Sequence, residues 1–453
     1  MTIRLNAFDM TCVAHQSPGL WRHPADQSHR YNDVTYWTEL AKLLERGGFT
    51  SLFIADVVGV YDVYHGGPET AIAEAAQLPV NDPLLAVSAM GAVTEHLGFG
   101  ITVSSTYEKP YAFARKMSTL DHLTNGRVGW NIVTSYLESA ARNLGLETQV
   151  PHDQRYEVGE EFMEVVYKLW ESSWEDGAVV RDRATGVYTD PAKIHPIEHK
   201  GKYFEVPGIF LSEPSPQRTP VLFQAGASPR GRTFAARHAE AIFTTGTRPE
   251  VLRPSIADTR ARAEAMGRDP RSLKFFSLLT IITGENDEEA QAKHRDYLRY
   301  ASYDGALALY GGWSGLDLSQ FEPDTPLKYI ETEAVRSAVE AFSTADPNRE
   351  WTPREIAKWV SIGGMGPVVV GGPKTVADEL ERWVADADVD GFNLAYAITP
   401  GTFEDLVTHV VPELRRRGLI EDYPGTTLRE TLYGVGQQRL RDDHPGAGHR
   451  RRA

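Results

Sequence analysis

Cysteine is almost absent from this 453-residue chain, with Cys12 its single example. A lone thiol cannot close an intramolecular disulfide, which excludes a stapled secreted scaffold and points to a reducing, cytoplasmic setting. Long apolar runs are missing as well, and none approaches the roughly 18–20 residues that a membrane helix needs. The N-terminus, Met1-Thr2-Ile3-Arg4-Leu5-Asn6, has no basic stretch leading into an apolar one, so no signal peptide is expected. Positive charge is in deficit. The 47 Lys+Arg face 62 Asp+Glu, a formal net charge of −15 that repels phosphate backbones and sets nucleic-acid binding aside. There is no H-E-x-x-H, no paired-cysteine spacing, no G-x-S-x-G elbow and no G-x-x-x-x-G-K-S/T loop. What remains is a composition 41% hydrophobic and 24% charged, ordinary for a globular enzyme long enough to bury a large core.

Apolar periodicity alternates between short strand-like runs and longer helical ones. Strands are expected at Ile3–Phe8, Ser51–Ala55, Phe99–Ser105, Val128–Thr134, Val221–Gln224, Ala241–Thr245, Leu273–Thr283 and Gly391–Tyr396. Between them, helices are expected over Val34–Arg46, from Pro83 behind an Asp82 cap with Gly98 as its close, and over Tyr111–Leu123 with Asn125-Gly126 as its stop. Further helices read as Arg155–Trp170, one opening after Ser228-Pro229, Pro249–Met266 and Asp287–Tyr300. A capping box of Thr375 with Asp378 opens another, and Thr402 with Asp405 caps a last one, kinked by Pro412. Eight alternations of buried-type strands with helices predict an α/β fold, a (β/α)8 TIM barrel with long insertions. The doubly wound alternative lacks a G-x-G-x-x-G after any strand. Residues 1–435 are read as one barrel unit, with insertions at about 57–80, 171–217 and 301–367, and 436–453 as a polar, flexible tail.

In a barrel the chemistry sits where strands end. Those ends carry few metal ligands or nucleophiles and many neutral hydrogen-bonding groups. Asp56 follows the second strand, Thr102 and Ser104 share one side of the third, and Asn131 and Thr134 lie on the fourth. Each alone reads equally as a satisfied core group; together they outline a polar-lined pocket. Gly226-Ala227-Ser228-Pro229-Arg230-Gly231 follows a strand and opens a helix, where small residues and the helix N-terminus suit a phosphate. His152 and Tyr156, four apart, can share a helix face beside it. The set suits a ligand with a flat polar ring and a single phosphate.

Several segments now carry a resemblance. They are Leu52-Phe53-Ile54-Ala55-Asp56, Ala92-Val93-Thr94-Glu95-His96-Leu97-Gly98, Gly126-Arg127-Val128-Gly129-Trp130-Asn131-Ile132-Val133-Thr134-Ser135, Phe223-Gln224-Ala225-Gly226-Ala227-Ser228-Pro229-Arg230-Gly231 and Asp390-Gly391-Phe392-Asn393-Leu394. On these the chain resembles the flavin-dependent monooxygenases of the bacterial-luciferase superfamily. The branch is the one holding nitrilotriacetate, dibenzothiophene-sulfone and dimethyl-sulfide monooxygenases, and the likeness runs from Leu5 to about Leu432. Finer segments, among them Asn6-Ala7-Phe8-Asp9-Met10-Thr11-Cys12, Trp21-Arg22-His23-Pro24 and Gly364-Met365-Gly366-Pro367, are most similar to the dimethyl-sulfide-oxidising members.

The resemblance implies that FMN is contacted at its ring by Asp56, Thr102 and Asn131, and along its side chain and phosphate by His152, Tyr156 and Ser228; Ser104, on the same side of its strand as Thr102, is a further candidate for cofactor binding. It implies reduced FMN delivered by a separate NAD(P)H:flavin oxidoreductase, O2 as co-substrate, and a homo-oligomer, dimer or tetramer. The implied reaction converts dimethyl sulfide to methanethiol and formaldehyde. Such chemistry needs an apolar, lidded chamber that excludes water. Met10, Cys12, Trp21, Tyr61, Tyr64 and Tyr136 are its expected walls, and His15, with an ordinary pKa near neutrality, is the candidate for proton transfer. Three alternatives stay open: another substrate of the same class (a sulfone, aminopolycarboxylate or haloaromatic), deazaflavin-dependent hydride transfer, and non-catalytic flavin binding.

Overall fold

The computed structural model describes residues 2–327 and 351–451. Eight parallel strands close on themselves: β1 Arg4–Met10, β2 Ser51–Ala55, β3 Gly98–Ser104, β4 Val128–Val133, β5 Val221–Gln224, β6 Ala241–Thr244, β7 Lys274–Ile282 and β8 Gly391–Ala395. They pair in sequence order, and β8 pairs β1 with Gly391 opposite Arg4 to complete the ring. This is the expected α/β barrel. A three-residue strand, Val368–Val370, pairs in parallel with the C-terminal end of β7, Thr280–Ile282, and was not expected from the sequence.

Local chemistry fixes the surrounding helices. In α1 (Val34–Arg46) the Asp33 carboxylate accepts the Thr35 N–H as N-cap, and Tyr36, Trp37, Leu40, Ala41 and Leu44 form one buried face. Asp82 caps α2 (Pro83–Gly91) in the same way, and the helix ends at Gly91; Gly98, expected as its close, instead opens β3. Helix α3 (Pro110–Leu123) stops where Asn125 and Gly126 take positive φ, +54° and +83°. Helix α4 runs over His152–Tyr167, three residues earlier than expected, and its last expected residues relax into a π-turn, Lys168–Ser172. Helices α5 (Pro229–His238) and α6 (Pro249–Ala265) follow as expected, and α7 (Asp287–Tyr297) ends three residues before the expected Tyr300.

Two expected caps are corrected. Gly372 precedes α8 (Pro373–Ala387) without any side-chain cap, and Asp378 pairs instead with Lys374 at 2.6 Å and Arg417 at 2.8 Å. Thr402 Oγ1 accepts N–H bonds from Ala397 and Ile398, holding the turn before its helix rather than the helix end. A π-turn over Leu406–Val410 directly precedes Pro412, whose missing N–H breaks the regular ladder.

The long connections have structure. The stretch 171–217 holds two small hairpins, and 301–367 holds helices Tyr303–Ser314 and Pro353–Val360; its part from 328 to 350 lies outside the described residues. The tail, expected to be flexible, is docked. Leu440 and His444 are buried, Gly446 packs on the Tyr167 ring, and Arg450 Nε meets Glu171 Oε2 at 3.0 Å. The sequence displayed only its polarity, while the contacts that hold it are all tertiary; the last two residues lie outside the described ones.

The barrel interior decides where a ligand can go. Phe8, Phe53, Phe223, Phe243 and Phe276 fill its middle with Val221 and Ala241, and Leu428 and Leu432 plug the underside. Phe53 and Phe243 centroids lie 4.0 Å apart, and Phe223 stacks on Phe243 at 5.3 Å. Gly100 and Gly129 make room, because a Cβ at either would run into Phe53 or Phe223. Above this aromatic floor the C-terminal end of the barrel stays open.

Candidate active site

A cavity of about 600 Å³ occupies that open end. Its floor is Phe8, Phe53 and Phe243, and its walls include Asp56, Thr102, Asn131, Val133, Leu278 and Asn393. Strand register brings the polar pair together: Thr102 lies opposite Asn131, and Asn131 Nδ2 donates to Thr102 Oγ1 at 3.0 Å. This leaves Asn131 Oδ1 buried with no partner among the described residues, and Asn393 Oδ1 is in the same state. Unpaired buried acceptors are costly, so both await a donor that the protein itself does not supply.

Beside the cavity, the β5–α5 turn forms a cradle. Ser228 caps α5 through the Gly231 N–H at 3.0 Å, and its Oγ lies 3.4 Å from His152 Nε2. The Tyr156 hydroxyl reaches the same turn. A Cβ at Gly226 would stand 3.0 Å from it and a Cβ at Gly231 2.8 Å, so the two glycines let backbone and phenol approach closely. His152 and Tyr156 also meet ring to ring at 5.2 Å. The three residues expected around a phosphate, drawn from two separate segments, are thus brought together.

The roof comes from three connections and meets at one atom. Tyr61 Oη donates to Gln77 Oε1 at 2.8 Å, accepts from Trp313 Nε1 at 3.0 Å, and lies 3.0 Å from Tyr136 Oη. Burial raises both phenol pKa values, that of Tyr136 to about 12, so each stays protonated and hydrogen-bonding. Tyr61→Phe removes the shared hydroxyl and strands a buried carbonyl and an indole N–H. A loss of roughly 1–3 kcal/mol is expected, read as a lower urea midpoint with an unchanged slope.

Several expected members stand elsewhere. Ser104 does not line the cavity; it accepts from Ser135 Oγ at 2.9 Å and from Thr106 N. After β1 the chain turns so that Cys12 bridges to Val80, burying Met10 and Cys12 beneath the roof segment rather than in the chamber. Trp21 faces outward at 42% exposure, on a single helical turn. Tyr64 packs under Tyr303–Ser314, with its hydroxyl on Asp304 at 3.3 Å. The sequence reading missed Phe8, Phe53, Phe243, Gln77, Trp313, Met365 and Asn393. The barrel phenylalanines and Asn393 follow from inward parity along strands, whereas Gln77, Trp313 and Met365 arrive from distant connections.

His15 lines the cavity, but its premise fails. Burial holds its pKa down at about 3, so the ring is neutral at physiological pH; its Nε2 lies 3.1 Å from Gln16 Nε2. A neutral imidazole here is a hydrogen-bonding wall and no proton donor of ordinary strength. Asp56 behaves oppositely. Burial first, and Asp82 second, push its carboxyl up to about 7, which makes it a cavity group that titrates near neutrality.

The arrangement can hold a flat aromatic ring with hydrogen-bonding edges over phenylalanines, an anionic tail in the cradle, and a small apolar molecule under the roof. A sequence profile of luciferase-like monooxygenases matches residues 11–390. The dimethyl-sulfide monooxygenase of Hyphomicrobium sulfonivorans is 57% identical over 449 residues, 99% of this chain and 94% of that relative. The long-chain alkane monooxygenase of Geobacillus thermodenitrificans strain NG80-2 is 51% identical over 449 residues, 99% of this chain and 98% of that one. The crystal structure of a riboflavin lyase with modified FMN and substrate riboflavin superposes with a TM-score of 0.93 at 40% identity, covering 100% of both chains.

Proposed function

Because the chain belongs to the luciferase-like monooxygenase family, we infer that it is an FMN-dependent, two-component monooxygenase whose substrate is a small organosulfur compound, dimethyl sulfide foremost. The observation that carries the flavin reading is the pair of orphaned acceptors, Asn131 Oδ1 and Asn393 Oδ1, above an aromatic floor and beside the Ser228 cradle. An isoalloxazine offers a flat face to Phe8, Phe53 and Phe243 and an N–H edge to such amide oxygens. Ser228, Tyr156 and His152 would hold its phosphate, assisted by the N-terminus of α5. Asp56 and Thr102 complete the wall.

Reduced flavin held by these residues would supply the electrons that activate O2 for transfer of one oxygen atom to the substrate. The chain's own part is to orient and to keep dry. Tyr61 and Trp313, with the half-exposed Tyr136 at the rim, form an aromatic roof that favours a thioether and limits the entry of bulk water. Hydroxylation at a methyl carbon of dimethyl sulfide gives a hemithioacetal, which collapses to methanethiol and formaldehyde.

The absence of a dinucleotide motif fits a separate NAD(P)H:flavin reductase as the source of reduced FMN. Among the described residues no helix is long and apolar enough to cross a membrane, which is compatible with a cytoplasmic enzyme. A homo-oligomer accords with the family resemblance.

With a flavin reductase, NADH, FMN and O2, the protein is expected to consume dimethyl sulfide and release formaldehyde in equal amount. Turnover of a sulfone or an alkane, with none of the sulfide, overturns the substrate and keeps the class. Oxidised FMN bound tightly without substrate-linked O2 uptake overturns the enzyme reading. Tyr156→Phe and Ser228→Ala are each expected to weaken FMN by about tenfold, one lost bond to a charged group. Riboflavin, which has no phosphate, should be little affected in the same fluorescence titration.

A further inference from the structure

Arg155 is a buried cation whose hydrogen-bonding capacity is largely unassigned. It lies on the first turns of α4, three residues after His152 and next to Tyr156, and is only 7% exposed. One bond is formed, from Nη1 to the Ser135 carbonyl oxygen, while Nε is buried with no partner. No carboxylate lies within 4.0 Å of it among the described residues. A buried Nε that makes no hydrogen bond is shared by Arg218, Arg260 and Arg268, but each of those makes at least two bonds through its other nitrogens, where Arg155 makes one. Arg429 meets Glu240 with two prongs, and Arg127 gives five bonds to carbonyls and to Thr94. Burial dominates at Arg155 and lowers its pKa, with Glu138 acting on it only from beyond contact distance; a buried guanidinium with no carboxylate in contact is unfavourable, and a nearby anion relieves it.

The carbonyl that Arg155 holds is well placed to matter. Ser135 has φ +56°, a left-handed conformation that a non-glycine residue keeps only under restraint. Tyr136 follows it directly into the roof, where its hydroxyl meets Tyr61, and Tyr61 in turn reaches Gln77 and Trp313. One helical turn of α4 therefore bears on both halves of the site: on the cradle through His152 and Tyr156, and on the roof through Arg155 and Ser135.

We propose that Arg155 couples occupancy of the anionic-tail cradle to closure of the roof over the substrate chamber. With a phosphate in the cradle, the guanidinium gains a counter-charge and holds Ser135, and so Tyr136, in the bridging position. With the cradle empty, a buried charge hangs on a single acceptor, and the segment 133–137 opens readily. Arg155 is a positioning residue and touches neither substrate nor reacting atoms. The inference rests on the flavin reading above.

Hydrogen exchange of the full chain with oxidised FMN or riboflavin tests it without turnover. FMN should slow the amides of 133–137 and of 61–64 about tenfold more than riboflavin does at saturation. In Arg155→Gln, FMN should still bind through His152, Tyr156 and Ser228, but this excess protection should vanish. Arg155→Lys, which keeps charge without the planar fork, should regain FMN affinity and not the protection. Equal protection of the parent chain by the two flavins overturns the coupling, even if no variant folds, and so does full protection in Arg155→Gln. Failure of FMN to bind the parent chain strikes the flavin reading first and this inference with it.

Discussion

Glu240→Gln is expected to destabilise the protein by about 3–5 kcal/mol, as removal of one partner from a buried ion pair does. Glu240 stands immediately before β6, and Arg429 lies on the helix Leu428–Tyr433 that plugs the underside of the barrel. Both are buried, with Arg429 Nε on Glu240 Oε1 at 2.7 Å and Nη2 on Oε2 at 2.9 Å. The remaining guanidinium hydrogens go to the carbonyls of Thr219, Gln438 and Gln217. Glutamine keeps the shape and removes the charge, leaving a fully enclosed cation with no carboxylate in contact and only Glu171 and Asp121 acting from farther off. A urea midpoint lowered in proportion, with the slope preserved, is the expected reading. The double change Glu240→Leu with Arg429→Met should recover much of the loss, because it removes both charges. A midpoint unmoved by Glu240→Gln would mean that those carbonyls, with Glu171 and Asp121 at longer range, suffice to compensate Arg429.

The second large effect is a dependence on pH. Asp9, at the end of β1, is fully enclosed beside the Tyr396 and Tyr36 hydroxyls, and burial pushes its carboxyl up to about 7. An unfolded aspartate titrates near 3.9. Between those values the folded chain holds a proton that the unfolded chain has lost, so stability falls as pH rises. The contribution is fully present below the unfolded pKa and is gone once pH passes the folded one. A shift of about three units corresponds to roughly 4 kcal/mol at most. Asp9→Asn keeps the oxygen that accepts the Met10 N–H at 2.7 Å and abolishes the titration. The variant should therefore exceed its parent in stability at pH 8, with the gap closing toward pH 5. A constant difference across that range, followed by denaturant midpoints, would assign the slope to other groups.

Much of this was readable from residues alone, for identifiable reasons. Barrel strands such as Ser51–Ala55 and Val221–Gln224 announce themselves because burial on both faces leaves an uninterrupted apolar run bounded by polar ends. Asp82-Pro83 and Asn125-Gly126 mark helix ends by backbone chemistry that needs no tertiary context. The cradle was legible because Gly226 to Gly231 carry small residues at a helix start. The chamber was not. Met10 and Cys12 looked like walls because they stand at and just after a strand end, but the turn that sends Cys12 to Val80 is set by a partner 68 residues away. Trp313 and Gln77 belong to the roof only because three long connections converge on the Tyr61 hydroxyl. His15 shows the same limit in electrostatics, since its type promises neutrality-range titration and its burial withdraws it.

The docked C-terminus gives the enzyme an unexpected dependence. Residues 440–450 lie against Tyr167 at the end of α4, Glu171 in the π-turn that continues it and His238 at the end of α5, so they brace the helix whose opening turn carries His152, Arg155 and Tyr156. Cutting the chain after Tyr433 would therefore remove a buttress and not loose string. The damage would propagate along a single rod from the underside of the molecule to its mouth, so proteolytic nicking there should register as a weakened grip on the cofactor.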